Sequence, residues 1–346
     1  MLGKLILWVS SLLYGMAVAM RNKMYDLGIL RSRSFDIPVI CIGNITAGGT
    51  GKTPHVIYLT EQLSRHMSVA VLSRGYLRTS RGFSMVTAED TTRDAGDEPL
   101  LMTLQMPQAG VFVDRDRVHG IREILNLNPS TGVIILDDGF QHRAVKAGLN
   151  IVLTDWSRLM TRDRLLPLGM LRESLRALKR ADIIIVTKTP GDTTPPVRDA
   201  IIRELTTAGA PDKIFFTTLA YEKPVPLFGS NTPEINQETS VLLVTGIANA
   251  SPLAQHLTET CSHVEHIAFP DHHKFDEKDM SRITSAFDAL EGTSKIILTT
   301  SKDGVRLKEM VNIAEQVRQA LYYLPVHVQF IANEQDFLSK INLYVG

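Results

Sequence analysis

The chain has 346 residues, an apolar fraction of 44% and equal numbers of basic and acidic side chains, 37 of each. That length accommodates two domains with buried cores, and that composition excludes a disordered or collagen-like chain. The balanced charge excludes a global field for nucleic acid, and the widely separated Cys41 and Cys261 suit reduced cytosolic thiols rather than a disulfide framework.

The first feature in chain order is an apolar run over residues 5–20, broken by Ser10, Ser11 and Gly15. Lys4 precedes it, and Arg21, Lys23, Arg31 and Arg33 follow. As a helix this run reaches about 24 Å, short of a hydrocarbon core of about 30 Å. Lys4, Ser11, Gly15 and Asn22 recur at helical spacing and form one weakly polar stripe on an otherwise apolar surface. The expectation is a helix lying in or dipping into one membrane leaflet. The alternatives are a helix buried against the protein's own core and a signal peptide, with Ala17-Val18-Ala19 resembling a cleavage site.

Short β-rich runs then alternate with helical stretches at 39–42, 69–72, 111–113, 133–136, 151–153 and 183–186. Alternation of this kind predicts a doubly wound α/β fold, a parallel sheet with helices on both faces. The first run feeds Gly43-Asn44-Ile45-Thr46-Ala47-Gly48-Gly49-Thr50-Gly51-Lys52-Thr53-Pro54, which reads as a phosphate-binding loop opening a helix. Its glycines let backbone N–H groups from Thr46 to Thr53 approach an anion, Lys52 reaches the β and γ phosphates, and the Thr53 hydroxyl can ligate Mg²⁺. Thr46 stands where the usual pattern has Gly. The loop points to phosphoryl transfer with ATP and Mg²⁺.

Ser73-Arg74-Gly75-Tyr76 follows the second run, and Tyr76 is either a ligand contact or a packed loop tyrosine. In Gly96-Asp97-Glu98-Pro99, Asp97 is either a proton acceptor for a hydroxyl nucleophile or a helix N-cap ahead of 100–106, and Glu98 is a candidate for proton handling or metal support. Asp137 and Asp138 end the run at 133–136, where carboxylates serve Mg²⁺ or merely form an Asp-Gly turn. Arg172 can neutralise charge on the γ phosphate, or with Glu173 be a surface charge.

A proline- and glycine-rich break over 223–238 marks a domain boundary. Beyond it, runs at 241–244, 264–269, 295–298 and 326–330, with helical stretches at 279–290 and 304–321, predict a second, smaller α/β domain. The expected division is 1–36, 37–223 and 224–346. His272 and His273 follow a strand of the second domain, and a general base or a residue tuning one fits them better than a metal site, because adjacent side chains diverge; the alternative is a solvated loop.

Together with Asp137-Asp138-Gly139-Phe140-Gln141-His142, residues 167–173 and Asp271-His272-His273, these blocks resemble the tetraacyldisaccharide 4'-kinase family. These are membrane-associated lipid A kinases of Gram-negative bacteria. The resemblance implies ATP-dependent phosphorylation of the 4'-hydroxyl of a tetraacylated glucosamine disaccharide 1-phosphate, giving lipid IVA at the cytoplasmic face of the inner membrane. It implies no nucleic-acid partner and no obligatory protein partner. Carried onto this sequence, Lys52 binds phosphates, Thr53 ligates Mg²⁺, and Asp97 takes the substrate proton with His272 assisting. Asp137 and Asp138 serve the metal with Glu98 nearby, Arg172 stabilises charge, and Tyr76, Gln141 and Glu173 complete the site. The segment 299–304 resembles the family's T-T-E-K-D-A, with Ser301 and Gly304 as departures. A rival class, a membrane-associated switch NTPase, lacks its guanine signature [NT]-K-x-D, since Pro190 follows Thr187-Lys188-Thr189. The lysine that membrane-cycling ATPases carry early in the loop would fall at Ala47.

Overall fold

A computed structural model describes residues 2–346. Helix α1 (Leu2–Asp26) opens the chain and is followed by β1 (Val39–Asn44), α2 (Lys52–Ser64), β2 (Val69–Ser73), β3 (Ser84–Met85), α3 (Thr92–Ala95), α4 (Asp97–Gln105), β4 (Gly110–Val113) and α5 (Arg117–Leu127). Next come β5 (Val133–Asp137), β6 (Leu149–Asp155), β7 (Ile183–Thr187), α6 (Pro195–Thr207), β8 (Ile214–Tyr221), β9 (Val225–Pro226), β10 (Thr239–Thr245), α7 (Ser251–Thr260) and β11 (His263–Ala268). The chain ends with α8 (Glu277–Ala289), β12 (Ser294–Thr300), α9 (Ser301–Lys308), α10 (Glu315–Ala320), β13 (Leu321–Leu324), β14 (Val326–Phe330) and α11 (Glu334–Val345).

The larger sheet has nine strands in the order β14-β8-β7-β6-β1-β5-β2-β4-β3, parallel except for the edge strands β14 and β3. Strands β1, β2, β5 and β7 are buried along their whole length, which is why each reads as a continuous apolar run rather than an alternating one. On one face Ile40, Ile42, Val71 and Ile135 pack with Val56 and Leu59 of α2 and Met102 of α4. On the other, Cys41, Leu72, Ile134 and Leu136 pack with Ile121 and Ile124 of α5. The smaller sheet has five strands in the order β11-β10-β12-β13-β9.

The C-terminus departs from the expected division. β14 pairs antiparallel with β8, and Phe337 and Ile341 of α11 enter the core of the larger sheet. Tyr344 accepts the Val39 N–H at 3.0 Å. The last segment therefore belongs to the larger layer, and 224–346 is not one body. The physical reason lies in β14: Val326-His327-Val328-Gln329-Phe330 alternates as an edge strand with one buried face, and the open edge of β8 offers that face a core. The predicted helix over 304–321 is likewise broken, because Val311, Asn312 and Ile313 are weak helix formers and Leu321-Tyr322-Tyr323-Leu324 pairs with β12. β8 was not among the expected strands.

Helix α1 has 25 residues and spans about 37 Å at about 1.5 Å per residue. Gly3–Asp26 is long and apolar enough to cross a membrane by length and composition. From Ser11 to Asn22 the weakly polar stripe faces the protein, while Lys4 is exposed. Ser11 Oγ donates to the Leu165 carbonyl at 2.9 Å, and Asn22 Nδ2 donates to Glu173 Oε2 at 2.9 Å. A Cβ at Gly15 would stand 2.8 Å from Leu165 Cδ1, so glycine permits the approach. The opposite surface is apolar and open: Leu5, Ile6, Trp8, Leu12, Leu13, Met16 and Met20 are each more than half exposed. Burial of that surface against the protein's own core is excluded.

His55 in α2 is fully buried beneath the phosphate loop. Its Nδ1 donates to the Gly51 carbonyl at 2.7 Å, which leaves Nε2 as the acceptor of the Thr217 hydroxyl at 3.0 Å. Burial lowers its pKa to about 4, against a smaller opposing effect of the Gly51 carbonyl. The unfolded chain takes up this proton near its ordinary value of 6.5, and the folded chain only near 4. Stability is therefore complete above that ordinary value and falls as pH drops toward 4, by about 2 kcal/mol between pH 7 and pH 5 from this group. Urea unfolding at the two pH values checks this, and His55→Gln should flatten the slope.

Candidate active site

The site opens at the C-terminal ends of the parallel strands, where β1 gives way to α2. Gly48 and Gly51 have φ of 106° and 81°, a left-handed conformation that glycine adopts without penalty. A Cβ at Gly48 or Gly49 would meet nothing within 4 Å, so the loop encloses open space above the N-terminus of α2, where free N–H groups favour an anion. The loop is braced from below: Asn44 Nδ2 donates to Thr50 Oγ1 at 2.7 Å, Thr187 Oγ1 to the Thr50 carbonyl at 3.0 Å, and Lys188 Nζ to the Gly49 carbonyl at 2.6 Å. Gln141 Nε2 donates to the Asn44 carbonyl at 2.7 Å. Thr46 is buried, and the Ala47 N–H is already engaged by the Met170 carbonyl at 2.7 Å. Of the remaining loop residues, Gly48 and Gly49 border the open space, whereas Thr50 is buried and its N–H bonds to the Gly48 carbonyl at 3.1 Å.

Strand β5 lies directly beside β1, with Ile42 opposite Asp137, and this pairing delivers two carboxylates to the loop. Asp138 lies 3.6 Å from Lys52 Nζ and 3.2 Å from Arg172 Nη1. Burial pushes its pKa up, but Lys52 and Arg172 outweigh that and hold it below the usual range. Asp137 Oδ2 accepts the Ser73 hydroxyl at 2.8 Å, while its Oδ1 is buried without a hydrogen-bond partner. Burial, reinforced by the charges of Glu98 and Asp138, pushes Asp137 up to about 7. An oxygen in that position requires a proton or a cation. Mg²⁺ fits: Asp137 Oδ1, with Asp138 and the half-buried Thr53 hydroxyl close to the loop, offers hard oxygens, and Mg²⁺ draws its other ligands from phosphate and water. Among the described residues no group of three or more His, Cys, Asp or Glu forms a metal cage.

The second cluster joins the two sheets. Gly96, with φ of 91°, precedes α4, so Asp97 is the first helical residue and not its cap. Asp97 Oδ1 accepts the Glu98 N–H at 3.0 Å. Its Oδ2 accepts His272 Nδ1 at 3.0 Å and Arg306 Nη2 at 2.8 Å, with Lys302 Nζ at 3.8 Å. Burial would raise its pKa, yet the His272 hydrogen bond and the charges of Lys302 and Arg306 hold it well below the usual carboxylate range. Because the carboxylate only accepts, His272 carries its proton on Nδ1 and presents a lone pair at Nε2. Lys302 Nζ donates to that nitrogen at 3.4 Å and to Glu98 Oε1 at 2.8 Å. Tyr76 sets its ring edge-on to His272, with centroids 5.6 Å apart.

The structure thus brings together Lys52, Asp138 and Arg172 at the loop, and Asp97, Glu98, His272 and Tyr76 at the junction. Glu98 acts electrostatically on Asp137 and so links the two groups. Glu173 lies in neither. It is buried beneath α1, bonded to Arg180 and Asn22 with Arg21 at 3.5 Å. His273 turns away to Asp279 Oδ2 at 2.7 Å. Lys302 and Arg306 were missed as site residues. Their signal was the Lys302/Arg306 spacing of four at the start of α9, which places both on one helical face.

A phosphate loop at a parallel strand end, carboxylates at the end of the neighbouring strand and a carboxylate–imidazole pair joining α4 to the turn after β11 define a P-loop phosphotransferase. The family model described as "Tetraacyldisaccharide-1-P 4'-kinase" matches residues 3–345, and the chain belongs to that family. Two relatives, both named tetraacyldisaccharide 4'-kinase, come from Phocaeicola vulgatus and Bacteroides thetaiotaomicron. The first is 44% identical, over 98% of this chain and 94% of its own length, and the second 42% identical, over 96% and 91%. The structure of LpxK from Aquifex aeolicus in complex with ATP is similar with a TM-score of 0.75 and 28% identity, covering 100% of this chain and 99% of that one.

Proposed function

We propose that this kinase transfers the γ-phosphoryl group of ATP to the 4'-hydroxyl of a tetraacylated glucosamine disaccharide 1-phosphate, giving lipid IVA for lipid A biosynthesis. The observation that carries the assignment of roles is the meeting of Asp97, at the start of α4, with His272, after β11, next to Glu98, whose charge acts on Asp137 beside the Lys52–Asp138 pair. Phosphoryl transfer needs alignment and charge neutralisation more than covalent help. Gly48 to Thr53 wrap the phosphates, Lys52 and Arg172 offset the charge that develops on the γ phosphate, and the Asp97–His272 pair accepts the hydroxyl proton. Mg²⁺, when bound, neutralises phosphate charge, and Asp137, Asp138 and Thr53 would hold it. Glu98 keeps Lys302 in place, Tyr76 and Gln141 border the acceptor side, and Glu173 supports that side from beneath α1. Residues 1–36, the phosphate-loop unit and the smaller unit around β10 act as the three working parts, with the last delivering His272.

Purified protein with labelled ATP and the acylated disaccharide 1-phosphate is expected to move label to the lipid. ATP hydrolysis without label on the lipid would refute the kinase reading and favour a switch NTPase.

The lipid substrate and the open apolar face of α1 support a peripheral site at the cytoplasmic face of the inner membrane, where ATP and the lipid meet. The helix lies with Leu12, Leu13, Met16 and Met20 toward the acyl chains. Leu12→Gln with Met16→Gln should weaken sedimentation with lipid vesicles by about 100-fold or more, since each buried side chain contributes about 1.5–3 kcal/mol. Undiminished sedimentation would exclude this face as the contact.

A further inference from the structure

The segment that carries Arg172 is gripped from two sides. On its inner side, the Ala47 N–H donates to the Met170 carbonyl and the Arg172 N–H donates to the Ile45 carbonyl, each at 2.7 Å. Thr46 and Leu171 form a bridge between these two contacts. This is strand-like pairing between the phosphate loop and the segment 170–172. On its outer side stands α1: the Tyr14 hydroxyl donates to the Arg172 carbonyl at 3.0 Å, and Ser11 Oγ donates to the Leu165 carbonyl at 2.9 Å. Ser11 and Tyr14 are three residues apart and share one helical face. Both backbone polar groups of Arg172 are thus fixed, one by the loop and one by the helix, while its guanidinium reaches Asp138 at 3.2 Å.

We propose that α1, beyond offering an apolar face to the membrane, is a positioning element of the phosphate site, with Tyr14 the positioning residue that fixes Arg172. The inference rests on the reading of Arg172 as the group that neutralises the γ phosphate. Asn22 and Arg21 of α1 hold the side chain of the neighbouring Glu173, at 2.9 and 3.5 Å, whereas the tie at the helix end has a different destination. Arg143 donates to the Asn22 carbonyl at 2.8 Å and pairs with Asp26 at 2.6 Å, which anchors the helix end to the loop after β5 without touching the phosphate loop. Tyr14 bonds to the main chain of the residue whose side chain reaches Asp138. A carbonyl left without that donor is free to rotate, and the guanidinium then samples more positions than the one that meets the phosphate.

Tyr14→Phe removes one hydroxyl and keeps the ring. It is expected to lower kcat roughly 3- to 10-fold, the value of one hydrogen bond, with KM for ATP and sedimentation with phosphatidylglycerol vesicles unchanged. In an Arg172→Ala background the same change should produce no further loss. Wild-type kcat in Tyr14→Phe would overturn the proposal. An equal loss in the Arg172→Ala background would also overturn it, since Tyr14 would then act elsewhere, as would a loss that tracks weaker vesicle binding. Wild-type turnover in Arg172→Ala alone would instead refute the role given to Arg172, and with it the positioning role.

Discussion

Replacing Asp97 with Asn is expected to lower kcat by about 10²- to 10⁴-fold while KM for ATP stays within about threefold. The expectation follows from where Asp97 stands. It makes no contact with the loop Gly48 to Thr53, and both of its oxygens are committed: one to the Glu98 N–H, the other to His272 and Arg306. Asn preserves volume and can still accept the Glu98 N–H. It cannot supply the charge that holds the proton on His272 Nδ1, and an amide NH₂ turned toward that nitrogen favours the tautomer in which Nε2 no longer accepts. Against burial, which would raise it, the His272 hydrogen bond and the charges of Lys302 and Arg306 hold the Asp97 pKa below the usual carboxylate range and favour the charged carboxylate. On the proposed mechanism the two act as a pair: the carboxylate orients and stabilises the imidazole, and the hydroxyl proton would reach Nε2 once substrate displaces the Lys302 ammonium from it. Steady-state kinetics at saturating lipid read this directly. An unchanged kcat would reduce Asp97 to a structural ion pair with Arg306. A lower melting temperature is a separate expectation, because Arg306 is 7% exposed and would lose one of its two carboxylate partners.

Much of this arrangement is legible in the sequence, for local reasons. The phosphate loop is a short string in which glycines, Lys52 and Thr53 each meet a stereochemical need, and the strands on both sides are apolar runs of ordinary length. Asp137 and Asp138 are legible because they end such a run. Other parts have no local signature. The partners Lys302 and Glu98 are 204 positions apart, and Arg306 and Asp97 are 209 apart, so only the folded chain brings them together. The return of β14 to the larger sheet is hidden for the same reason: a five-residue alternating strand is compatible with either sheet, and the choice is made by the open edge of β8. Helix α1 is an intermediate case. Its polar stripe is plain in the sequence, but a stripe does not say whether it meets water or protein. Ser11 needs an acceptor and Gly15 permits close approach, and the backbone of Leu165 supplies the one while its side chain fills the space of the other.

Lys52→Ala is expected to have the largest effect of any single change at the loop, lowering kcat/KM for ATP by about 10³-fold or more, with a rise in KM for ATP and little change in KM for the lipid. The Lys52 side chain is 11% exposed, and its ammonium faces Asp138 at 3.6 Å. Asp138 is shared with Arg172, so two cations converge on one carboxylate at the place where phosphate charge must be balanced. Asp138 is 32% exposed, so both groups are partly shielded, and a charge there counts for more than at a fully solvated surface. Removing Lys52 takes away the larger of the two electrostatic supports of Asp138, whose pKa then rises, and leaves Arg172 alone to offset the phosphates. Lys52→Arg should restore little, because a planar fork on a longer side chain does not replace a compact ammonium held at the start of α2. The pattern separates this variant from Asp97→Asn: one alters ATP affinity and rate together, the other the rate alone. Isothermal titration with ATP and single-turnover transfer distinguish the two, and an unaltered ATP affinity in Lys52→Ala would remove Lys52 from the phosphate site.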